Sequence, residues 1–242
     1  MGSASLKASA RDERQAGRGP RYVAIVSDGS ARWARAHGIT VGAGHAAAAD
    51  TAIARVADAV DLGIEELTFF AFSTENWARP RREVHALLEM LAERVRRDTA
   101  TLDDRRVRVR FIGRRDRAGD ALVSAIEYAE RTTCCNEGMT LFVAFDYGGR
   151  DEILAAAERY RGGGEHEFSG LLRASEMHDP DVVIRTSGER RISNFLLWQT
   201  AYSELIFRDE LWPDFDRAAF EECLAEYSLR RRRFGGRTSV GV

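Results

Sequence analysis

The stretch YVAIVSDGSARWARAHG, residues 22–38, sets a short apolar run directly against an acid, a glycine and an arginine. The run at 22–26 has the length and the valine and isoleucine content of a buried strand. A turn into a helix is predicted after it, because small residues are followed by an amphipathic segment. Asp28 either caps that helix or belongs to a site for an anion or a metal ion, and the turn alone leaves both interpretations open.

Short apolar runs alternate with longer amphipathic segments along the rest of the chain. Further strands are predicted over 67–72, 107–112, 140–145 and 182–184. Helices are predicted over 46–62, 81–99, 120–132, 151–160 and 216–233. Such alternation predicts an α/β fold, with one mostly parallel sheet covered by helices. The glycine-rich segment 161–170 is predicted to be a flexible connection rather than a domain boundary.

Composition and charge exclude several classes of protein. The 242 residues carry 36 basic and 38 acidic side chains, so the net charge of −2 predicts no nucleic-acid partner. Three cysteines, two of them adjacent, do not suggest a disulfide framework or a zinc site. No apolar run approaches the roughly 18 residues of a transmembrane segment. We therefore expect a cytoplasmic protein, with a disordered arm at 1–20 and one folded domain at 21–242.

Polar segments directly follow four of the predicted strands. Ligands of open parallel sheets bind outside the carboxyl ends of the strands, so these segments are expected to meet in one pocket. The segments are the turn at Asp28, STENWARP at 73–80, DYGGR at 146–150 and RTSGERRISN at 185–194.

The first of these segments suits a phosphate next to a hard cation. Gly29, Ser30 and Ala31 are small enough for backbone N–H groups to approach an anion. Asp28 would repel a phosphate unless Mg²⁺ lay between them, and Mg²⁺ commonly takes one carboxylate together with substrate phosphate oxygens. The segment therefore favours a metal-assisted phosphate site over a plain helix cap only if other segments agree.

The segment at 185–194 supplies that agreement in part. The guanidinium groups of Arg185 and Arg191 suit diphosphate oxygens, and the Ser193 hydroxyl can add a hydrogen bond. An arginine-rich surface turn explains this segment equally well when it is taken alone. Trp77, taken alone, is better explained by core packing than by substrate contact, and Glu204 by a solvated position in a helix or loop.

The combined motifs resemble the cis-prenyltransferase family, in their order and spacing from Val23 to Gly236. They are DGSARW, FSTENWARP, YGGR, IRTSGERRISNFLLWQTAYSELIF, LWPDF and RRRRFGG. The resemblance implies a six-stranded, largely parallel sheet with a hydrophobic tunnel, and a homodimer. It also implies Mg²⁺-dependent condensation of an allylic diphosphate (dimethylallyl, geranyl or farnesyl) with isopentenyl diphosphate, releasing diphosphate.

The resemblance also implies a role for each residue at a matching position. Asp28 is expected to be catalytic and to anchor the metal, Asn76 and Arg79 to be catalytic, and Glu204 to contribute to the metal site from the dimer interface. The tail at 233–236 resembles a segment that reaches the partner's site. The substrate-binding residues implied are Gly29, Ser30, Arg32, Trp33, His45, Ser73, Trp77, Arg185, Arg191, Ser193, Arg233 and Gly235.

Several positions depart from the usual family pattern, mostly on the allylic side. Ser30 and Ala31 replace Asn and Gly, Val41 replaces an arginine, and Asp146 replaces the Asn of NYGGR. Two interpretations stay open: sequence drift in an ordinary polyprenyl synthase, or a variant with changed substrates. The variant would be a short-chain synthase, or an enzyme for irregular head-to-middle coupling with dimethylallyl diphosphate as acceptor and a lavandulyl-type product. A third interpretation, a non-catalytic partner subunit, is disfavoured because Asp28 and the arginine motif are present.

Overall fold

The computed structural model describes residues 19–173 and 175–230, and the structural statements below refer to these residues. The predicted arm at 1–20 lies almost wholly outside the described residues, as do Arg233 and Gly235. The strands are β1 (Tyr22–Val26), β2 (Glu66–Ser73), β3 (Arg108–Ile112), β4 (Thr140–Tyr147), β5 (Val182–Arg185) and β6 (Glu204–Phe207).

The strands form one sheet in the order β3-β4-β2-β1-β5-β6, and every neighbouring pair is parallel. In the centre, Ile25 of β1 is paired with Phe69 of β2 on one side and with Ile184 of β5 on the other. The predicted α/β class and the six-stranded parallel sheet are therefore confirmed. Parallel pairing also brings the carboxyl ends of all these strands to the same edge, which is where the polar segments begin.

Helices cover both faces of the sheet, as a parallel sheet requires. They are α1 (Ser30–Ala36), α2 (Val41–Asp61), α3 (Arg81–Asp104), α4 (Asp120–Thr132), α5 (Gly149–Arg159), α6 (Glu165–Ser169) and α7 (Arg217–Leu229), with 3₁₀ helices at Thr74–Ala78 and Trp212–Asp214. Val23 and Ile25 belong to one buried apolar cluster, whereas Ala24 and Val26 belong to a second one. This alternation along β1 shows that the strand is buried on both faces.

Three sequence-based expectations need correction or extension. Glu204 begins strand β6, rather than lying in a helix or loop, because its segment pairs with β5. The strand has only four residues, and Leu205 within it is exposed, so periodicity gives it no signal. Helix α2 begins at Val41, five residues earlier than predicted, because the Thr40 hydroxyl accepts a hydrogen bond from Ala43 N and caps it.

The segment 161–170 is not wholly a flexible connection, since it contains helix α6. The ring of Phe168 packs against those of Tyr160 and Trp198, with centroids 5.4 and 4.5 Å away, and the Trp198 indole donates to Ser169 Oγ. Aromatic contacts from distant parts of the chain therefore order this helix, which glycine content alone does not predict.

Within the described ranges, none of the helices is both long enough and apolar enough to cross a bilayer.

Candidate active site

A cavity of about 990 Å³ opens at the carboxyl edge of the sheet and continues between the sheet and helices α2 and α3. The strand-end loops line it with polar side chains, whereas the helices line it mainly with alanine, leucine and valine. We call these two parts the mouth and the wall. Representative wall residues are Ala48, Ala52, Ile53, Val56, Leu87, Leu91, Val95 and Leu102. The mouth suits a charged group and the wall suits a hydrocarbon.

Most of the sequence-predicted site residues line this one cavity. They are Asp28, Gly29, Ser30, Arg32, His45, Ser73, Asn76, Arg79, Arg185, Arg191 and Ser193. Three of the four predicted loops therefore meet, since residues after β1, β2 and β5 are all represented. The fourth predicted segment, 146–150, contributes no residue to the lining, and Asp146 lies within strand β4 rather than in the loop after it.

Asp28 and Arg185 form the centre of the mouth. Arg185 is buried, and its Nη2 donates to Asp28 Oδ2 at 2.7 Å. The same guanidinium donates through Nη1 to Arg191 O and to Ser193 Oγ, at 2.7 and 2.6 Å. Arg185 therefore links the end of β1 to the loop after β5 and fixes the loop that carries Arg191 and Ser193.

The Asp28 carboxylate is ionised in this setting. Its partial burial raises its pKa, but the hydrogen bond and charge of Arg185, aided by the charge of Arg32, outweigh burial and leave the pKa lowered. The side chain keeps 33% of its surface exposed, so an oxygen remains accessible from the cavity. Asp28 thus offers a charged oxygen ligand at the mouth.

Gly29 is required by the backbone at this point. Its φ is +114°, and a Cβ there would lie 2.9 Å from a Leu211 side-chain carbon and 3.1 Å from the Leu211 Cα. Any other residue would be strained and would collide with the loop before the second 3₁₀ helix. Helix α1 can therefore begin directly beside Asp28.

An intramolecular carboxylate lies between two arginines of the mouth. Glu189 forms an ion pair with Arg191 and lies 3.7 Å from Arg32 Nη1. All three side chains are partly exposed, at 34% for Glu189, 57% for Arg191 and 41% for Arg32. Sequence reasoning did not select Glu189, although an acid between two arginines of the same loop is a signal of such pairing.

The loop after β2 presents Asn76 and Arg79 to the same cavity. Asn76 Oδ1 accepts a hydrogen bond from Ser73 N at 2.9 Å, and the pair forms a reciprocal cap for the first 3₁₀ helix. Arg79 is paired with Glu83 at 3.1 Å and keeps 39% of its side chain exposed. The arginine is therefore accessible to an anion at the mouth.

Two further residues that sequence reasoning missed tie this loop to its neighbours. Asn194 Nδ2 donates to Glu75 Oε1 at 2.8 Å, while Asn194 Oδ1 accepts from Arg150 N at 2.9 Å. Asn194 has a φ of +65°, a conformation that asparagine tolerates better than most residues. Its position in the RISN motif was the available signal. Asn194 thus connects the loops after β2 and β5 with the first turn of helix α5.

His45 faces the cavity as a neutral imidazole. Burial lowers its pKa, and the charge of Arg79 lowers the pKa further, against a smaller opposite effect of Glu83. Its Nε2 is buried and has no hydrogen-bond partner among the described residues. An unsatisfied ring nitrogen at a cavity is a candidate contact for a polar ligand.

Three predicted site residues do not line the cavity. The Trp33 indole donates to Asp214 Oδ1 at 2.7 Å, and the Trp77 indole donates to Asp146 Oδ1 at 2.8 Å. Glu204 is paired with Arg230 at 2.9 Å, at the start of β6. Within this single chain these residues hold structural contacts and do not meet Asp28.

The described residues contain no cluster of three or more acidic, histidine or cysteine side chains that could by itself enclose a metal ion. A cation bound here would therefore depend on Asp28 and on oxygen atoms supplied by its ligand. Mg²⁺ is usually held by one or two carboxylates and substrate phosphates, so the donor set fits that ion.

Comparisons with known proteins agree with this geometry. Residues 26–235 match the family model described as "Putative undecaprenyl diphosphate synthase". The isoprenyl transferase of Aquifex aeolicus is 48% identical over 221 residues, covering 89% of this chain and 96% of the relative. The chain belongs to the cis-prenyltransferase family. As a member of it, the protein is a transferase of isoprenoid biosynthesis.

Other relatives of this cis-prenyltransferase have more specific names. A "Ditrans,polycis-undecaprenyl-diphosphate synthase ((2E,6E)-farnesyl-diphosphate specific)" of Pseudomonas aeruginosa is 44% identical, covering 89% of this chain and 90% of the relative. The crystal structure of lavandulyl diphosphate synthase from Lavandula x intermedia, in complex with dimethylallyl diphosphate, matches with a TM-score of 0.86 and 35% identity, covering 89% of this chain and 98% of that one. A probable undecaprenyl diphosphate synthase from Campylobacter jejuni matches with a TM-score of 0.77 and 29% identity, covering 90% and 99%.

Proposed function

We propose that this enzyme condenses an allylic diphosphate with isopentenyl diphosphate, extending a cis-polyprenyl chain with release of diphosphate in the presence of Mg²⁺. The observation that carries the proposal is the continuity of a charged mouth with an apolar wall in one cavity of about 990 Å³. That volume is at the upper end of the roughly 300–1,000 Å³ typical of small-molecule pockets, and a ten-carbon tail would leave much of it unfilled.

The mouth residues have complementary roles in this reaction. Arg32 and His45 bind the allylic diphosphate, beside the backbone of Gly29 and Ser30. Arg191 and Ser193 bind the second diphosphate, in a loop that Arg185 holds against Asp28. Arginine side chains in a partly enclosed mouth stabilise the negative charge that grows on the leaving diphosphate.

Asp28 would hold Mg²⁺, because its carboxylate is ionised and partly exposed. When bound, Mg²⁺ supplies positive charge that stabilises the departing diphosphate. Asn76 and Arg79 position the substrates from the loop after β2, and the wall keeps water from the allylic cation that forms. A substrate diphosphate oxygen is the proposed proton acceptor, since the carboxylates of Asp28 and Glu189 are paired with arginines and the lowered pKa of His45 makes its ring a weak base.

The second candidate function is irregular coupling of two dimethylallyl diphosphate molecules into a lavandulyl-type product. The likeness to lavandulyl diphosphate synthase, with a TM-score of 0.86, favours it. The named curated relatives and the volume of the cavity favour chain extension instead. Chain extension is therefore the function proposed.

The enzyme would act as a homodimer associated through the β6 edge. β6 ends the sheet, and Leu205, Tyr202 and Leu229 are exposed near it. Exposed apolar side chains at the end of a sheet favour association. Glu204 lies at the same edge, so it would reach a metal site only across that interface. Sedimentation should give twice the 27.1 kDa mass of one chain.

The cytoplasmic location stays a prediction of the sequence.

The deciding experiment is incubation with dimethylallyl, geranyl or farnesyl diphosphate and Mg²⁺, each with and without isopentenyl diphosphate. Products are identified by mass spectrometry and NMR. We expect elongated products only when isopentenyl diphosphate is present. A branched ten-carbon diphosphate formed from dimethylallyl diphosphate alone would overturn chain extension in favour of irregular coupling.

A further inference from the structure

We propose that Asp146, Arg117 and Trp77 form a positioning clamp for the loop after β2, which carries Asn76 and Arg79. The inference rests on the proposed function, because it concerns how that loop serves the reaction. None of the three clamp residues lines the cavity. They act through the loop and not on the substrate.

The carboxylate of Asp146 is buried and charged. Its side chain has 0% exposure, and a buried carboxylate is costly unless it is paired and hydrogen-bonded. Arg117 donates to it from two nitrogens: Nε to Oδ2 at 3.0 Å and Nη2 to Oδ1 at 2.5 Å. The Trp77 indole donates to Oδ1 at 2.8 Å. The carboxylate is thus held by three hydrogen bonds from two other loops.

The clamp has a rigid base where the segment after β3 meets β4. Arg117 follows β3, and the backbone of that segment packs directly on β4, where Arg114 N donates to Asp146 O at 3.2 Å. Gly113 has a φ of +114°, and a Cβ on it would lie 2.0 Å from Phe145 O. Only glycine permits so close an approach, so the two loops are fixed against each other.

Trp77 links the clamp to the loop that lines the cavity. Trp77 lies in the five-residue 3₁₀ helix Thr74–Ala78, between Asn76 and Arg79. The Arg117 guanidinium stacks 4.7 Å from the Trp77 ring, and that ring packs edge-on against Phe72 at 5.2 Å. A 3₁₀ helix this short has little internal stability, so the side chain anchored on both faces sets its orientation.

The clamp also accounts for a departure noted in the sequence. Asp146 stands where the family usually has asparagine, and an uncompensated charge there would be buried. Arg117 supplies the compensating charge, so the departure lies in the support of the loop and does not change the substrate contacts.

The test compares Arg117→Met, Trp77→Phe and the double variant Asp146→Asn/Arg117→Met with the parent enzyme. Arg114→Met is the matched control, because Arg114 lies in the same segment but its guanidinium is paired with Asp116 at the surface. Steady-state kcat and KM are measured with an allylic diphosphate and isopentenyl diphosphate. Hydrogen exchange is followed in the peptide covering 73–80, and Tm is recorded for each variant.

We expect Arg117→Met and Trp77→Phe to lower kcat by about tenfold or more, with KM changed less than about threefold, because small displacements of catalytic groups act mainly on turnover. Exchange at 73–80 should become faster in both. The double variant should recover kcat to within about threefold, since a neutral amide needs no counter-charge and its oxygen still accepts the Trp77 N–H. Arg114→Met should stay within about twofold of the parent.

Parental kcat in Trp77→Phe would overturn the clamp, as would a double variant no better than Arg117→Met. If Arg117→Met does not fold, Trp77→Phe and the double variant decide the question alone. If the parent itself shows no condensation, the proposed function fails. Hydrogen exchange in the peptide covering 73–80 then tests the clamp without any activity measurement. An unchanged exchange rate in the variants would overturn the clamp.

Discussion

The mouth and the wall of the cavity are built from different kinds of contact. At the mouth, Asp28, Arg32, Arg185, Glu189 and Arg191 are linked by ion pairs, so each position depends on a partner. Along the wall, small and branched apolar side chains of α2 and α3 make contacts without direction. Loss of one charged partner at the mouth leaves another charge unpaired, whereas a change in the wall alters volume and area only. Activity should therefore fall sharply when a residue of the mouth is substituted and change less when a residue of the wall is substituted.

The wall has one departure from this contrast. Arg94 and Asp98 of α3 line the cavity and lie 3.3 Å apart, and Arg94 is also paired with Asp50 at 2.5 Å. The charge of Arg94 is thus compensated by two carboxylates, although its buried Nε has no hydrogen-bond partner among the described residues, and the wall residues around it are mainly apolar.

The largest expected effect is at Asp28. Asp28→Asn keeps the shape and a hydrogen bond to Arg185 but removes the charge proposed to hold Mg²⁺. We expect diphosphate release to fall by about 10²- to 10³-fold, because the charge acts where negative charge develops. Asp214→Asn, which lies outside the cavity, serves as the control. Activity of Asp28→Asn within a few-fold of the control would show that the mouth does not depend on the charge of Asp28, and would contradict the contrast between mouth and wall.

The next effect concerns the second diphosphate. Arg191→Met should raise KM for isopentenyl diphosphate by roughly 10- to 100-fold, since a charge-assisted hydrogen bond contributes about 1.5–3 kcal/mol. The neighbouring Arg190 is exposed and does not line the cavity, so Arg190→Met should leave KM nearly unchanged. Steady-state titrations of isopentenyl diphosphate give both values. Equal KM changes in the two variants would show that only general positive charge matters there.

The wall should give a smaller and different effect. Ala52→Phe places a ring in the cavity from α2, so products should be shorter by about one or more five-carbon units, with the rate of the first condensation little changed. Ala54→Phe, on the exposed side of the same helix, is the matched control. Product lengths are compared by mass spectrometry. An unchanged product distribution in Ala52→Phe would show that the wall does not bound the chain.

The smallest expected effect is on pH dependence. The pKa of His45 is lowered from 6.5 in the folded protein, so below about pH 6.5 the unfolded chain binds more protons at this residue than the native one. Stability contributed by neutral His45 is therefore lost as pH falls through that range and is present above it. Urea unfolding between pH 5 and about 7.5 should show a flatter profile for His45→Gln than for the parent. An identical slope in both proteins would contradict the assignment.

The sequence predicted the strands and the meeting of the loops well, because both follow from apolar periodicity and parallel pairing. β1 was predicted at its observed bounds, and the residues of three loops meet at one mouth. What sequence reasoning missed depends on contacts between distant segments. Nothing local marks Arg117 as the partner of Asp146, since 29 residues separate them. Likewise, β6 is recognisable as a strand only from its pairing with β5. The structural role of Trp33 is recognisable only from the hydrogen bond that its indole donates to Asp214.

The carboxylate of Glu189 has a consequence for how substrates arrive. The Glu189 carboxylate already neutralises Arg191 and lies near Arg32. An incoming anion must therefore displace this carboxylate, because the arginines are not unpaired when it arrives. Such an exchange releases few counterions, so affinity for a diphosphate should depend only weakly on ionic strength. It also discriminates by valence: a singly charged anion gains little by displacing a carboxylate, whereas a diphosphate brings more negative charge to the arginine than the carboxylate it displaces.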